Sequence, residues 1–313
     1  MASATRLLSY VGPYDWQAAL TFLSRRAIEG VEQVADGTYC RTIRCGRSIG
    51  TLTVDHDDRA SALVVSLSVE AATADEVIER VRRMFDLDAD LQTINADLAG
   101  DPWMAGLVAA RPALRVPGGW DGFEVAARSI IGQQVTVARA RQLNGVLVDR
   151  CGTTLRGNQS GPLGRLFPTP RQVLDADLSA MGMPGARAAT LKTVAAAAIG
   201  DPRLFERSGC IDDTIARLRG LRGIGDWTAH YIAMRACREP DAFPAGDVGL
   251  LRGAADRSGG RPTPAALLAR AEAWRPWRAY AAHQLWAEDP ASAAAHPRIR
   301  PQAPECRPHG QPS

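Results

Sequence analysis

Lysine is almost absent from this chain: Lys192 stands alone among 37 basic side chains, so nearly every cation is an arginine. Any mechanism that needs an amine side chain as nucleophile therefore has one candidate. The six cysteines (Cys40, Cys45, Cys151, Cys210, Cys237 and Cys306) never fall into a Cys-x-x-Cys spacing. That excludes the usual zinc and iron–sulfur ligand patterns and leaves buried free thiols in a reducing cytoplasm as the expectation. The start of the chain lacks a basic segment followed by an apolar block, so no signal peptide is expected. No apolar run reaches the length of a membrane span, so no membrane contact is expected either. The net charge of +3 is too small to announce a polyanionic partner. Only residues 121–210 are locally basic, with ten Arg and one Lys against seven acids, a mild positive field.

What is present divides the chain. At 313 residues it suits two or three compact units. Trp16, Ala19, Leu20 and Leu23 recur at helical spacing and predict a helix over 15–28. Strand-like runs follow at 39–45, 49–54 and 63–69, with Gly37, Gly46 and "DHDD" as turns. A helix from the "TADEV" segment to Phe85, with Thr73 as its cap, completes a small α+β domain over 1–95. From Asp101 onward the pattern is helical and no strand is expected. "FEVAARSIIGQQVTVARARQLNGVLVDR" reads as a long helical stretch broken or bent near Gly132. Residues 152–170 read as an exposed loop, and shorter helices are expected at 175–181, 185–198 and 212–219. "TPAALLARAEAW" and "PWRAYAAHQLWAE" close a helical unit over 96–289, and the Pro-rich 290–313 reads as a disordered tail.

The informative stretch is "LRGIGDWTAHY", 221–231. Helix, glycine pair, helix is the pattern of a helix-hairpin-helix. There, glycines let backbone N–H groups approach a phosphate, and the next helix adds its positive end. Taken alone, "GIG" equally fits an αα-corner in which Gly caps a helix. Asp247 lies 22 residues beyond Gly225, after the breakers Pro244 and Gly246, where a helix would begin. An Asp there is also an ordinary N-cap.

Together with "PYDW", "FLSRRAIEGVE", "FEVAARSIIGQQV", "MGMPGARA", "FPAGDVGL" and "WRPWRAYAAHQLW", in that order, these motifs resemble the helix-hairpin-helix DNA glycosylase superfamily. Within it, the chain is similar to the AlkA-type 3-methyladenine glycosylases. The resemblance implies an α+β fold, with a small antiparallel-sheet domain followed by an all-α core of two helical subdomains. It implies excision of alkylated purines from duplex DNA, with Asp247 as the catalytic carboxylate. A carboxylate beneath the sugar suits the oxocarbenium-like charge that develops as the base leaves, and the base must first be flipped out.

The resemblance places Trp227, Tyr231, Trp286 and Phe22 around the flipped base, where electron-rich rings suit a cationic methylated purine. Trp227 and Tyr231 are four apart and share a helix face. All four are also residue types that commonly fill cores. Gly223, Gly225, Thr228 and Arg222 are the expected DNA contacts of the hairpin, and Gln134 the residue inserted into the duplex gap. Related bifunctional enzymes carry a nucleophilic lysine at the position of Trp227, and Lys192 lies away from every motif. The resemblance therefore implies a monofunctional enzyme, a monomer in the cytoplasm that requires no cofactor, with a monovalent cation at the hairpin carbonyls. Val248 and Ala287 stand where a well-known bacterial member has aromatics, and His230 and His283 read as structural or surface residues. Two rivals stay open: a non-catalytic damage-binding protein that kept the hairpin, and a bifunctional oxidised-base glycosylase/lyase acting through Lys192.

Overall fold

A computed structural model describes residues 3–155, 162–256 and 258–291. The chain begins with β1 (Ser3–Ser9), α1 (Trp16–Ser24), β2 (Glu32–Ala35), β3 (Thr38–Cys45), β4 (Ser48–Asp57), β5 (Ala62–Ser68) and α2 (Ala74–Met84). The strands form one antiparallel sheet in the order β1-β5-β4-β3-β2. Alternation explains the inner strands: Leu52 and Val54 of β4 and Leu63, Val65 and Leu67 of β5 turn inward against α1 and α2.

The two edge strands were not among the expected runs. β2 is only four residues long and opens on a glutamate; it is a strand because Glu32 pairs with Arg41 and Val34 with Tyr39. β1 buries Leu8 but exposes Leu7, and its pairing with β5 defines it.

The helical part comprises α3 (Leu91–Leu98), α4 (Pro102–Ala110), α5 (Gly122–Ile131) and α6 (Val137–Cys151). A two-residue-per-strand hairpin follows, β6 (Thr153–Thr154) with β7 (Arg165–Leu166). Next come α7 (Pro170–Asp175), α8 (Gly185–Gly200), α9 (Ile211–Arg219), α10 (Asp226–Arg235), α11 (Val248–Gly253), α12 (Pro264–Ala271) and α13 (Arg278–Glu288). The small hairpin corrects the strand-free expectation beyond residue 101. The helix expected at 175–181 is in fact α7, because Thr169 and Gln172 form a capping box with Pro170 in the first turn. Residues 156–161 of the expected loop and 292–313 of the expected tail lie outside the described residues.

Sheet and helices are joined by a buried ionic cluster. Arg41 of β3 donates to Glu124 of α5 at 2.8 Å, and Arg128 of α5 pairs with Glu32 of β2 and, at 2.6 Å, with Glu124. The Tyr39 hydroxyl donates to Glu32 at 2.8 Å. Burial alone would raise the Glu32 carboxyl, but the Arg128 and Arg41 guanidiniums outweigh it and hold its pKa below the ordinary value. The cluster matters because α5 leads directly into the turn that carries Gln134.

Candidate active site

The site is assembled from four helices. Asp247 precedes α11, and its Oδ1 accepts the Leu250 N–H at 3.0 Å, the N-cap bond. The same carboxylate receives two indole donors: Trp227 Nε1 donates to Oδ2 at 2.7 Å, and Trp286 Nε1 to Oδ1 at 2.8 Å. Capping and clamping thus use one side chain together. Trp227 comes from the start of α10 and Trp286 from near the end of α13, so the carboxylate joins three helices.

Gly249 makes the convergence possible. A Cβ there would lie 3.0 Å from Asp247 Oδ1, 3.1 Å from Trp286 Cδ1 and 3.3 Å from Asp289 Oδ2. Asp289 itself is held by Arg252, through bonds of 2.8 and 2.6 Å.

The aromatic residues expected around a base are neighbours. Trp227 and Tyr231 stack with centroids 5.4 Å apart and planes at 21°. Arg235, one turn beyond Tyr231 and almost fully buried, lies 4.7 Å from the Phe22 centroid and 5.5 Å from those of Tyr231 and Trp286. Phe22 comes from α1 and also lies under Arg26, at 3.9 Å. Desolvation lowers the Arg235 guanidinium to about 10, so it stays charged at neutral pH. Burial would raise the Tyr231 hydroxyl, but Arg235 and Arg26 outweigh it and hold its pKa below the ordinary phenol value.

Arg235 was missed in the sequence. Arg235 follows Trp227 and Tyr231 on one face of α10 at spacings of four, which was the available signal. His283 is buried, with its ring edge-on to Trp286 at 5.2 Å. Val248 is exposed beside Asp247, whereas Ala287 is fully buried against Ala18 and Leu114.

The hairpin separates its two glycines by cause. Gly223 has φ +90°, and a Cβ there would sit 1.9 Å from Thr190 Oγ1 of α8, so the fold itself demands glycine. Gly225 has φ −85° and nothing within 4 Å of a built Cβ. Among the described residues no contact requires it to be glycine. It starts α10 with no side-chain cap hydrogen bond, so no capping side chain satisfies the first-turn N–H groups.

Arg222 is exposed beside it. The Thr228 side chain is buried and its hydroxyl accepts from Gln133 Nε2 at 2.9 Å, so that hydroxyl does not face outward. That bond ties the hairpin to the turn between α5 and α6, where Gln134 is exposed at φ +56°. The Gly223 carbonyl has only a long 3.5 Å contact from Gln133, while that of Leu221 accepts Ile224 N–H at 3.0 Å. Among the described residues, no group of three or more His, Cys, Asp or Glu could hold a metal ion. Lys192 lies on α8, where its charge acts on Asp177.

Residues 5–121 match the family model described as the AlkA N-terminal domain, and residues 127–279 match the HhH-GPD superfamily base excision DNA repair protein model. DNA-3-methyladenine glycosylase 2 of Escherichia coli K12 is 36% identical over 283 residues, covering 89% of this chain and 95% of that protein. The probable bifunctional transcriptional activator/DNA repair enzyme AlkA of Mycobacterium tuberculosis H37Rv is 37% identical over 278 residues. That match covers 88% of this chain but 55% of the relative, so the chain spans about half of that protein's length. A solved 3-methyladenine DNA-glycosylase from Archaeoglobus fulgidus shares the fold at TM-score 0.77 and 20% identity, over 91% of this chain and 98% of that one.

Proposed function

The chain belongs to the HhH-GPD superfamily of base excision DNA repair proteins, and we propose on that premise that it is a monofunctional DNA glycosylase. Its substrate is an alkylated purine of the 3-methyladenine type in duplex DNA, flipped out of the stack before excision. The E. coli relative, itself named a DNA-3-methyladenine glycosylase and covered over 95% of its length, supports the substrate class.

The observation that carries the mechanism is the carboxylate of Asp247, fixed by indole N–H groups on both oxygens. Clamped in this way, it is preorganised to face positive charge developing at the sugar. The C1′–N bond breaks with its electron pair leaving on the base, water adds to C1′, and its proton is lost to solvent. An abasic site remains. Trp227 offers no amine to the sugar, and Lys192, on α8, makes no hydrogen bond or ion pair to Asp247, whose carboxylate is met by Trp227 and Trp286.

The uncapped start of α10 at Gly225, with Arg222 beside it, suits a DNA phosphate. Gln134, carried on a tight turn, suits the gap left by the flipped base. The division at residues 95 and 289 belongs to the same reading. Its consequence is that Phe22 and Arg26 reach the helical core's site from the first unit. The same reading takes the protein to be a monomer acting on double-stranded DNA in the cytoplasm. Among the described residues, no helix is long and apolar enough to cross a membrane.

Asp247→Asn tests the proposal. It should abolish release of 3-methyladenine from methylated duplex DNA while DNA binding, read by gel shift, persists. Full activity in that variant removes Asp247 from the mechanism.

A further inference from the structure

Three residues separate Phe243 from Asp247, and helix α10 holds this segment at both ends. At the Asp247 end the contact is the Trp227 indole. At the other end, the backbone N–H of Phe243 donates to Nδ1 of His230 at 3.2 Å. Trp227 and His230 are three apart and share a face of α10. Between the two anchors the segment is tightly turned: Asp247 N–H donates to the Pro244 carbonyl at 2.8 Å, and Ala245 N–H to that of Phe243 at 3.0 Å. Phe243 is buried, its ring edge-on to Trp274 at 5.9 Å. A shift at Phe243 therefore reaches Asp247 through a short, stiff path.

We infer that His230 is a positioning residue for the proposed excision: its neutral ring anchors the Asp247 segment, and protonation releases it. The inference rests on the catalytic reading of Asp247. An Nδ1 that accepts from Phe243 carries no proton, so the neutral ring bears its hydrogen on Nε2. That nitrogen lies 4.0 Å from Asp226 Oδ2, while the other oxygen of that carboxylate, Oδ1, lies 3.7 Å from Arg219. A second proton could go only to Nδ1, where it would oppose the Phe243 N–H and break the anchor.

The surroundings favour the neutral ring. Desolvation is the largest cause holding its pKa below the ordinary 6.5; Asp226 and Asp241 pull upward, while Arg278 and Arg219 push down. Asp241 is already committed to Arg278, at 2.7 and 2.8 Å. With the folded value below the unfolded one, the stability that His230 contributes is full above pH 6.5. It is lost as pH falls through the lowered value.

The test is single-turnover release of 3-methyladenine from methylated duplex DNA across pH 5–8, with enzyme-free loss subtracted. His230→Ala should slow the excision step about tenfold at pH 7.5 while half-saturation by DNA stays within about twofold, because the anchor acts on the carboxylate rather than on DNA grip. His230→Asn should restore most of the rate, since an amide oxygen can accept from Phe243. It should also flatten the acid limb, because it cannot protonate.

An Ala variant with unchanged rate, or an Asn variant whose acid limb matches that of the natural protein, overturns the inference. If the Ala variant does not fold, the Asn profile decides. Asp247→Asn run alongside separates the two readings: an inactive Asp247 variant with indifferent His230 variants refutes the anchor alone, whereas an active one refutes both.

Discussion

Replacing Trp227 by Phe keeps an aromatic face beside Tyr231 but deletes the indole N–H that meets Asp247 Oδ2 at 2.7 Å. Among the described residues no second donor reaches that oxygen. Oδ1, by contrast, keeps the Leu250 N–H when Trp286 is replaced. The two indoles are therefore not equivalent. A hydrogen bond to a charged group contributes about 1.5–3 kcal/mol, and 1.36 kcal/mol is tenfold in rate, so Trp227→Phe should slow base release about 10- to 150-fold. Trp286→Phe should lie at the low end of that range.

An opposing effect exists, because a freed carboxylate is a stronger electrostatic partner for the sugar. Orientation should win, since a rotating carboxylate spreads its charge over positions away from C1′. The two substitutions should also be non-additive. Once either donor is gone the carboxylate can turn, so removing the second costs less. The assay is single-turnover release of methylated purine from duplex DNA by both single variants and the double variant, with binding measured separately. A Trp227→Phe rate within twofold of the natural protein, or strict additivity, would refute the clamp.

The hairpin glycines should part company. Gly223→Ala should destabilise the fold by about 1–3 kcal/mol, from its φ of +90° and the clash with Thr190, as read by urea unfolding. Gly225→Ala should leave the unfolding midpoint unchanged yet weaken duplex binding about tenfold, the loss expected for one charge-assisted backbone contact. The buried ionic cluster supplies the last prediction. Arg128→Met leaves Glu32 and Glu124 facing each other with only Arg41 between them, and should cost about 3–5 kcal/mol in denaturant unfolding. A loss under about 1 kcal/mol would mean that water reaches the cluster.

Much of the architecture was legible from local pattern. The inner strands alternate, α8 and α9 carry their own periodicity, and "LRGIGDW" places a turn and a helix start unaided. The misses share a physical reason. β1 and β2 are strands because of their partners, and α7 was displaced by a capping box that outweighed the apolar spacing beyond it. Thr228 looked like an outward hairpin residue and is buried, because only the packing of α5 against α10 brings Gln133 to it.

What residue order alone determined was which chemistry the chain can attempt. It has one lysine, remote from every motif, and an acid spaced to follow a glycine hairpin and cap the next helix. Its aromatics at 227 and 231 lie one helical turn apart. These are properties of identity and short spacing, and they survive in an unfolded chain.

The relation of those groups in space was decided only by tertiary structure. Asp247 and Trp286 are 39 residues apart, and Phe22 and Arg235 lie in different units of the fold, yet all surround one carboxylate and one buried guanidinium. Helix packing sets such distances, and packing depends on surfaces far apart in sequence. For the same reason His230, which shows no partner in its own helix pattern beyond Asp226, proves to hold the segment that ends at Asp247.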